Sequence, residues 1–282
     1  MPDIKKNKRP IGVFDSGVGG LSVLIELQRL LPNENFVFLA DQLYIPYGEK
    51  TKKELVKLTS KITDYFIKYH NIKMMVIACN TATCGAIEEL RAQYSFPIVG
   101  TVPAIKVAAK KTKSGTVAVI STPSTSKSST LKNLIKDYCQ NVDVLNIGCK
   151  NLENEVEKGE LNSAEVDKLL LKYLKQVNDS NADYLVLGCT HYPFLKKSIE
   201  KIISPRIRLL IDSGRAIARR TQSLLRTYSM KNNHSSRTKL TTEQVKKKKG
   251  KTLYFTTGDS VKFSKVASKL LRHHVQAQKI KI

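Results

Sequence analysis

The feature that most constrains the fold of this chain is a short pattern that occurs twice, 110 residues apart. Residues 76–81 and 186–191 each consist of an apolar run, one small residue, a cysteine and then residues with hydrogen-bonding side chains. An apolar run of this length predicts a buried strand, so Cys79 and Cys189 are each expected just past the carboxyl end of a strand. Ligands bind at that edge of parallel α/β sheets. The pattern therefore predicts two thiols that face each other across one ligand.

The remainder of the chain has the alternation that is typical of parallel strands joined by crossover helices. Strands are predicted at 11–14, 36–40, 73–78, 116–120, 142–147, 184–187, 208–211 and 253–255, and helices at 21–31, 53–69, 125–138, 163–177, 215–225 and 261–271. The first strand ends at Asp15 and Ser16, and the strand at 116–120 ends at Ser121 and Thr122, which extends the repeat. We therefore predict an α/β fold of two similar domains with mainly parallel sheets, related by pseudo-symmetry.

The predicted domain boundary lies where Pro97 and Pro103 bracket a short extended segment. Residues 1–100 are expected to form the first domain, completed by residues 212–282, and residues 101–211 the second. A cleft between domains is a frequent location for a small ligand, so the active site is expected there.

Composition limits the class of protein. Hydrophobic residues at 41% and charged residues at 26% are typical of a soluble globular chain, and no apolar run approaches the roughly 20 residues that span a bilayer. The basic start of the chain lacks the apolar core of a signal peptide, so a cytoplasmic location is expected. The five cysteines contain no C-x-x-C pair, which argues against a disulfide framework and against a zinc site.

The formal net charge of +24 favours acidic partners, which include nucleic acid, anionic membrane surfaces and anionic small molecules. The densest run of charge is Lys246 to Lys249, inside the polar segment 231–251. We interpret this run as part of a solvated loop. No nucleic-acid-binding signature accompanies it, yet nucleic-acid binding stays open as an alternative.

Several segments together resemble glutamate racemase, of the aspartate/glutamate racemase family. They occur in the family's order and cover nearly the whole chain, at residues 11–23, Asp41 with 46–48, 78–83, 188–195, 211–214 and 255–259. The resemblance implies two α/β domains with the site between them. It also implies racemisation of glutamate without a cofactor, which supplies D-glutamate for peptidoglycan synthesis.

The chemistry of the residues agrees with that implication. Removal of a weakly acidic α-proton often uses pyridoxal phosphate. Residues 15–20 lack the G-x-G-x-x-G spacing, and nothing else in the sequence indicates a cofactor. Two thiols would then carry the proton transfers, since nearby polar or cationic groups and helix amino termini increase the thiolate fraction.

The resemblance also implies roles for individual residues. Cys79 would exchange the α-proton of D-glutamate and Cys189 that of L-glutamate. Asp15, His191 and Glu157 would assist them. The predicted substrate-binding residues are Asp15, Ser16, Tyr47, Gly48, Asn80, Thr81, Thr190 and His191.

Two alternatives remain open at this stage. One is a racemase of aspartate or another acidic amino acid, which would keep both thiols and change the carboxylate pocket. The other is a basic binding protein that acts on nucleic acid or gyrase. A homodimer is possible in either case. The other cysteines and histidines are interpreted as structural: Cys84, Cys139, Cys149, His70, His234, His273 and His274.

Overall fold

The computed structural model describes residues 8–230 and 250–282, so Lys246 to Lys249 and His234 lie outside the described residues. The strands are β1 (Ile11–Asp15), β2 (Phe36–Ala40), β3 (Met74–Ile77), β4 (Ile98–Gly100), β5 (Thr116–Ser121), β6 (Asp143–Gly148), β7 (Tyr184–Leu187), β8 (Leu209–Ile211), β9 (Thr252–Thr256) and β10 (Ala277–Lys279). They form two sheets, and every neighbouring pair within a sheet is parallel.

The two sheets share one strand order. The larger sheet runs β10-β9-β2-β1-β3-β4 and the smaller runs β6-β5-β7-β8. Strands β2-β1-β3-β4 and β6-β5-β7-β8 therefore correspond one to one, and β9 and β10 extend the larger sheet. The predicted fold class is confirmed, and the two cysteines follow corresponding strands, β3 and β7. The assignment of domain boundaries at residues 100 and 211 stays a prediction.

The α-helices lie between and after these strands. They are α1 (Leu21–Leu30), α2 (Lys52–His70), α3 (Asn80–Gln93), α4 (Ile105–Lys111), α5 (Pro123–Lys127), α6 (Ser129–Tyr138), α7 (Leu152–Glu157), α8 (Ala164–Asp179), α9 (Lys196–Ile202), α10 (Gly214–Thr227) and α11 (Ser260–Leu271). Short 3₁₀ turns occur at Val18–Gly20, Gln42–Tyr44, Tyr47–Glu49 and Tyr192–Leu195. Helix α2 begins with a capping box in which Thr51 and Glu54 bond each other's backbone N–H groups.

One predicted helix is wrong in detail. Residues 125–138 form two helices, α5 and α6, with a break at Ser128. Ser128 is extended, its hydroxyl donates to the Thr125 carbonyl, and the same oxygen accepts the Leu131 N–H. Because a serine in this conformation caps a new helix, the chain changes direction there.

The core is built mainly from the buried strands and the helix faces that cover them. All of β1, β2 and β3 is buried, as expected for parallel strands covered on both faces. Helix α10 packs along α1, and α7 packs on the turn at Val18–Gly20. The latter contact joins the part of the chain that carries the smaller sheet to the end of β1. Among the described residues, no helix has the length and apolarity that crossing a membrane requires.

A buried ion pair lies at the amino-terminal ends of β2 and β3. This is the end of the larger sheet opposite Cys79. Lys73 Nζ lies 2.5 Å from Glu34 Oε2, and the two side chains are 0% and 2% exposed. Lys73 Nζ also donates to the Met230 carbonyl. Burial lowers the pKa of Lys73, while the Glu34 carboxylate raises it.

Candidate active site

A cleft with an empty volume of about 450 Å³ lies between the carboxyl ends of the two sheets. From the part of the chain with the larger sheet it is lined by Ser16, Ile45, Pro46, Tyr47, Gly48, Cys79, Asn80 and Thr81. From the part with the smaller sheet it is lined by Thr122, Thr125, Glu153, Glu157, Gly188, Cys189, Thr190 and His191.

Cys79 lies at the point where β3 gives way to α3. It is the N-cap of that helix, and its Sγ accepts the Ala82 N–H at 3.4 Å. The Ser16 hydroxyl lies 3.7 Å from Cys79 Sγ. Burial and the neighbouring Asp15 charge raise the pKa of this thiol, while the Ala82 and Ser16 contacts lower it. The helix amino terminus therefore favours the thiolate in a site that otherwise disfavours charge.

Cys189 has a different partner at the corresponding position. Its Sγ lies 3.5 Å from His191 Nδ1, and His191 Nε2 lies 2.6 Å from Glu157 Oε1. Burial raises the pKa of Cys189 and the adjacent imidazole lowers it. Burial lowers the pKa of His191, but Cys189 and Glu157 outweigh it, so this pKa lies well above its ordinary value. The row Cys189–His191–Glu157 has the geometry of a thiol with an oriented acid–base partner.

Glu157 is held by three groups. Its Oε1 accepts the Val18 N–H at 2.7 Å in addition to the His191 contact. Its Oε2 accepts from Gln42 Nε2 at 2.7 Å, and Gln42 Oε1 in turn accepts from the Thr256 hydroxyl at 3.0 Å. Because Val18, Gln42 and Thr256 belong to the part with the larger sheet, the Glu157 carboxylate joins the two sides of the cleft.

Asp15 does not line the cleft but lies behind its wall. The carboxylate is fully buried, and it accepts from the Gly17 N–H at 2.8 Å and from the Thr190 hydroxyl at 2.9 Å. The Ser16 hydroxyl donates to Asp15 Oδ1 at 3.2 Å. Burial raises the pKa of Asp15. The carboxylate thus orients two hydroxyls that do line the cleft, Ser16 next to Cys79 and Thr190 next to Cys189.

The other predicted residues form a neutral polar wall. The Thr81 hydroxyl lies 3.3 Å and 3.4 Å from those of Thr122 and Thr125 across the cleft. Tyr47 lines the cleft with its ring, while its hydroxyl donates to Asp41 Oδ2 at 2.6 Å. Asn80 lines the cleft, and its Nδ2 group is buried without a hydrogen-bond partner, so this donor is available to a ligand.

Two glycines allow the sides of the cleft to approach this closely. A Cβ at Gly17 would lie 1.8 Å from Glu157 Oε1, and a Cβ at Gly19 would lie 2.4 Å from His191 Nδ1. Both contacts are far shorter than any real Cβ contact. The glycines after β1 therefore permit the backbone to pack on the acid–base row.

The structure adds residues that sequence reasoning missed. Thr122 and Thr125 line the cleft, and the repeat could have indicated Thr122 because it corresponds to Ser16. Glu153 also lines the cleft, and no pattern in the sequence pointed to it. No lysine or arginine is among the residues that line the cleft in the part of the chain described. Within that same part, no group of three or more His, Cys, Asp or Glu side chains is arranged to hold a metal ion.

Comparison with known proteins agrees with this geometry. The sequence pattern of the Asp/Glu/Hydantoin racemase family matches residues 20–221. The glutamate racemase of Herpetosiphon aurantiacus is 39% identical over 258 residues, which are 92% of this chain and 96% of that protein. The crystal structure of the isoform RacE1 glutamate racemase from Bacillus anthracis superposes with a TM-score of 0.85 at 27% identity, covering 98% of both chains.

A second solved structure, the glutamate racemase of Francisella tularensis in complex with D-glutamate, has a TM-score of 0.79 at 28% identity and also covers 98% of both chains. These likenesses extend over the whole fold, including both parts that line the cleft. The chain therefore belongs to the Asp/Glu/Hydantoin racemase family.

Proposed function

We propose that this protein interconverts L- and D-glutamate by proton transfer between the substrate and two thiols, without a cofactor. The observation that carries the proposal is the pair of cysteines at corresponding strand ends, Cys79 after β3 and Cys189 after β7, which line one cleft. The relatives named as glutamate racemases, one of them solved in complex with D-glutamate, support glutamate as the substrate.

The proposed reaction needs one thiolate and one thiol at the start. In the direction from L to D, the Cys189 thiolate removes the α-proton, and the Cys79 thiol gives its proton to the opposite face of the carbanion. The C–H electron pair stays on the α-carbon until the new bond forms. The products are D-glutamate, a Cys189 thiol and a Cys79 thiolate. The reverse direction exchanges the two roles, so each cysteine is a base in one direction and an acid in the other.

The surroundings of each thiol explain how a thiolate is available in a buried cleft. For Cys79 the stabilising group is the amino terminus of α3, where the Ala82 N–H donates to Sγ. For Cys189 the partner is His191, which Glu157 holds in place. The substrate ammonium adds a positive charge between the thiols, and this charge favours ionisation of the thiol that acts as base.

The neutral donors of the cleft fit a dicarboxylate substrate. The substrate-binding residues in the proposal are Ser16, Tyr47, Gly48, Asn80, Thr81, Thr190 and His191. Ser16 and Thr190 donate their hydroxyl hydrogens to Asp15 and Tyr47 donates its own to Asp41, whereas Asn80 Nδ2 has no partner and is free to donate to a substrate carboxylate. A buried donor that loses its acceptor is costly, so a substrate with a shorter side chain would leave some of these groups unpaired. This selects glutamate over aspartate.

The finer features of the biological role belong to the same proposal. D-glutamate made here would serve peptidoglycan synthesis, and the protein would act in the cytoplasm, where the substrate is available. A homodimer and a contact with nucleic acid or gyrase stay predictions, the latter resting on the net charge alone.

The direct test is turnover by the purified protein with glutamate and with aspartate, measured after dialysis against a chelator and without added pyridoxal phosphate or nicotinamide. We expect L-glutamate to racemise, with aspartate slower by at least about tenfold in kcat/KM because its shorter chain leaves donors unpaired. Chiral chromatography measures both reactions. Loss of glutamate turnover that a metal or pyridoxal phosphate restores would refute the cofactor-free mechanism.

The row that serves Cys189 gives a second expected result. Cys189 and Glu157 both raise the pKa of His191, and Glu157→Gln removes the second of these charges. The imidazolium therefore loses its proton at a lower pH than in the wild type. Since a charge-assisted hydrogen bond is also lost, kcat is expected to fall by about 10- to 100-fold. The pH profile of kcat should shift on its basic side toward lower pH.

Glu160→Gln is the matched control, because it makes the same charge change at an exposed position three residues later. It should leave kcat and its pH profile near wild type. If Glu157→Gln behaves like Glu160→Gln, the carboxylate has no part in proton transfer at Cys189.

A further inference from the structure

One acidic side chain in the cleft has no place in the mechanism so far. Glu153 lies in the first turn of α7 and lines the cleft together with Cys189 and His191. Its Oε2 atom is buried and has no hydrogen-bond partner among the described residues. A buried carboxylate oxygen without a partner is unfavourable, so this atom is expected to gain one when a ligand binds.

The charges around Glu153 determine whether its carboxyl group can be ionised when the substrate is bound. The proposed substrate brings two carboxylates and one ammonium group, and no lysine or arginine of the described chain lines the cleft. His191 is the one cationic candidate in the lining, and Glu157 already pairs with it. An ionised Glu153 would therefore add a further negative charge next to the two carboxylates of the substrate, at a site of low dielectric where repulsion is strong.

We propose that Glu153 stays protonated and donates a hydrogen bond from its buried carboxyl oxygen to a carboxylate of the substrate. This inference rests on the proposed function, because it assigns a substrate-binding residue to that same cleft. A neutral carboxylic acid has one O–H donor, and an ionised carboxylate of the substrate can accept this hydrogen bond. A hydrogen bond from a neutral acid to a carboxylate is charge-assisted and short, so it contributes strongly to binding.

The surrounding groups agree with a protonated state. Burial raises the pKa of Glu153, and the nearby carboxylates Glu49 and Glu157 raise it further. The Glu153 N–H and His191 act in the opposite direction. Three further ionisable groups interact electrostatically with Glu153, and their ionisation would disfavour its charged form: Cys149, Cys189 and Tyr192.

The proposal predicts a specific dependence of KM on pH. As the pH rises through the pKa of Glu153, the donor is lost and a repelling charge replaces it, so KM for L-glutamate should increase. Glu153→Gln keeps a donor and does not ionise. Since the other titrating groups are common to both proteins, the ratio of the wild-type KM to the Glu153→Gln KM isolates Glu153, and this ratio should rise with pH.

The test is steady-state racemisation of L-glutamate over a pH series by four proteins: wild type, Glu153→Gln, Glu153→Leu and the exposed control Glu160→Gln. We expect Glu153→Leu to raise KM by about tenfold or more at low pH, because the donor is lost, and Glu153→Gln to stay within about threefold of wild type there. Glu160→Gln should follow the wild type at every pH.

Three results would overturn the proposal. A KM ratio of wild type to Glu153→Gln that is constant with pH and differs from one by more than about threefold means that Glu153 is ionised throughout the series. A Glu153→Leu KM near the wild-type value at low pH means that Glu153 donates no hydrogen bond to the substrate. A Glu153→Gln protein as impaired as Glu153→Leu at low pH means that the ionised carboxylate is required, as for an acceptor of the ammonium group. Absence of turnover in the wild type would instead refute the proposed function, so the two failures are distinguishable. If Glu153→Leu does not fold, Glu153→Ala, which also lacks the donor, takes its place in the comparison.

Discussion

Cys79→Ser and Cys189→Ser are each expected to lower kcat in both directions by at least about 10³-fold. A serine hydroxyl keeps the approximate shape of the thiol, but it ionises far less readily, so it is a poor base and a poor acid at neutral pH. Because each thiol is a base in one direction and an acid in the other, loss of either stops the full reaction both ways. Chiral analysis of each enantiomer as starting substrate measures the effect.

The matched control is Cys139→Ser. Cys139 is a free buried thiol in the core around β5, away from the cleft lining, so its replacement tests the cost of a serine in place of a buried cysteine. We expect turnover near wild type after correction for the folded fraction. Wild-type-like turnover in either Cys79→Ser or Cys189→Ser would contradict the two-thiol mechanism.

Glu34→Gln is expected to destabilise the fold by about 3–5 kcal/mol. Lys73 and Glu34 are buried together, and loss of one charge leaves the other in a site of low dielectric. The free energy of unfolding follows from urea denaturation. The double variant Lys73→Met with Glu34→Leu should recover most of the loss, since apolar groups of similar size can replace a buried pair at little cost.

An exposed ion pair provides the control for this result. Lys175 and Asp179 are 75% and 63% exposed, so Asp179→Asn should change the free energy of unfolding by less than about 1 kcal/mol. The buried pair lies at the amino-terminal ends of the strands, and the cleft lies at their carboxyl ends. The folded Glu34→Gln protein should therefore keep its kcat. A loss below 1 kcal/mol in Glu34→Gln would mean that the partners of Lys73 rearrange to solvate its charge.

The strands and both thiols could be predicted because their signal is local. A buried parallel strand is a short run of apolar residues, and β2 (Phe36–Ala40) and β7 (Tyr184–Leu187) have the bounds that the sequence predicted. The cysteines were identified by repetition of one pattern in two places. Such features depend on few neighbouring residues, so they are visible without knowledge of the fold.

Helix α3 (Asn80–Gln93) was missed for a physical reason. Its first turn, from Asn80 to Thr83, is buried although it is rich in polar side chains, and Asn80 and Thr81 of this turn line the cleft. The helix therefore lacks the apolar stripe by which amphipathic helices are recognised. In this helix, polar residues that line the cleft take the positions where an apolar stripe would otherwise be found.

Glu153 and Gln42 could not be found from the sequence because their environment depends on contacts between distant segments. Gln42 meets Glu157, which is 115 residues away in the chain. Glu153 faces the cleft because α7 packs on the turn after β1. The sequence predicted Asp15 as a site residue, and the structure places its carboxylate behind Ser16 and Thr190. The roles of these residues in catalysis stay predictions.

The central claim, proton transfer by two separate thiols on opposite faces of the substrate, is tested most directly by racemisation of L-glutamate in deuterated water at low conversion. We expect the D-glutamate that forms to carry deuterium at the α-carbon, because its new hydrogen comes from Cys79 equilibrated with solvent, while the remaining L-glutamate keeps its protium. Mass spectrometry of the separated enantiomers measures both. Product D-glutamate that retains the protium of the substrate would show that one base returns the same proton, and this would contradict the two-thiol account.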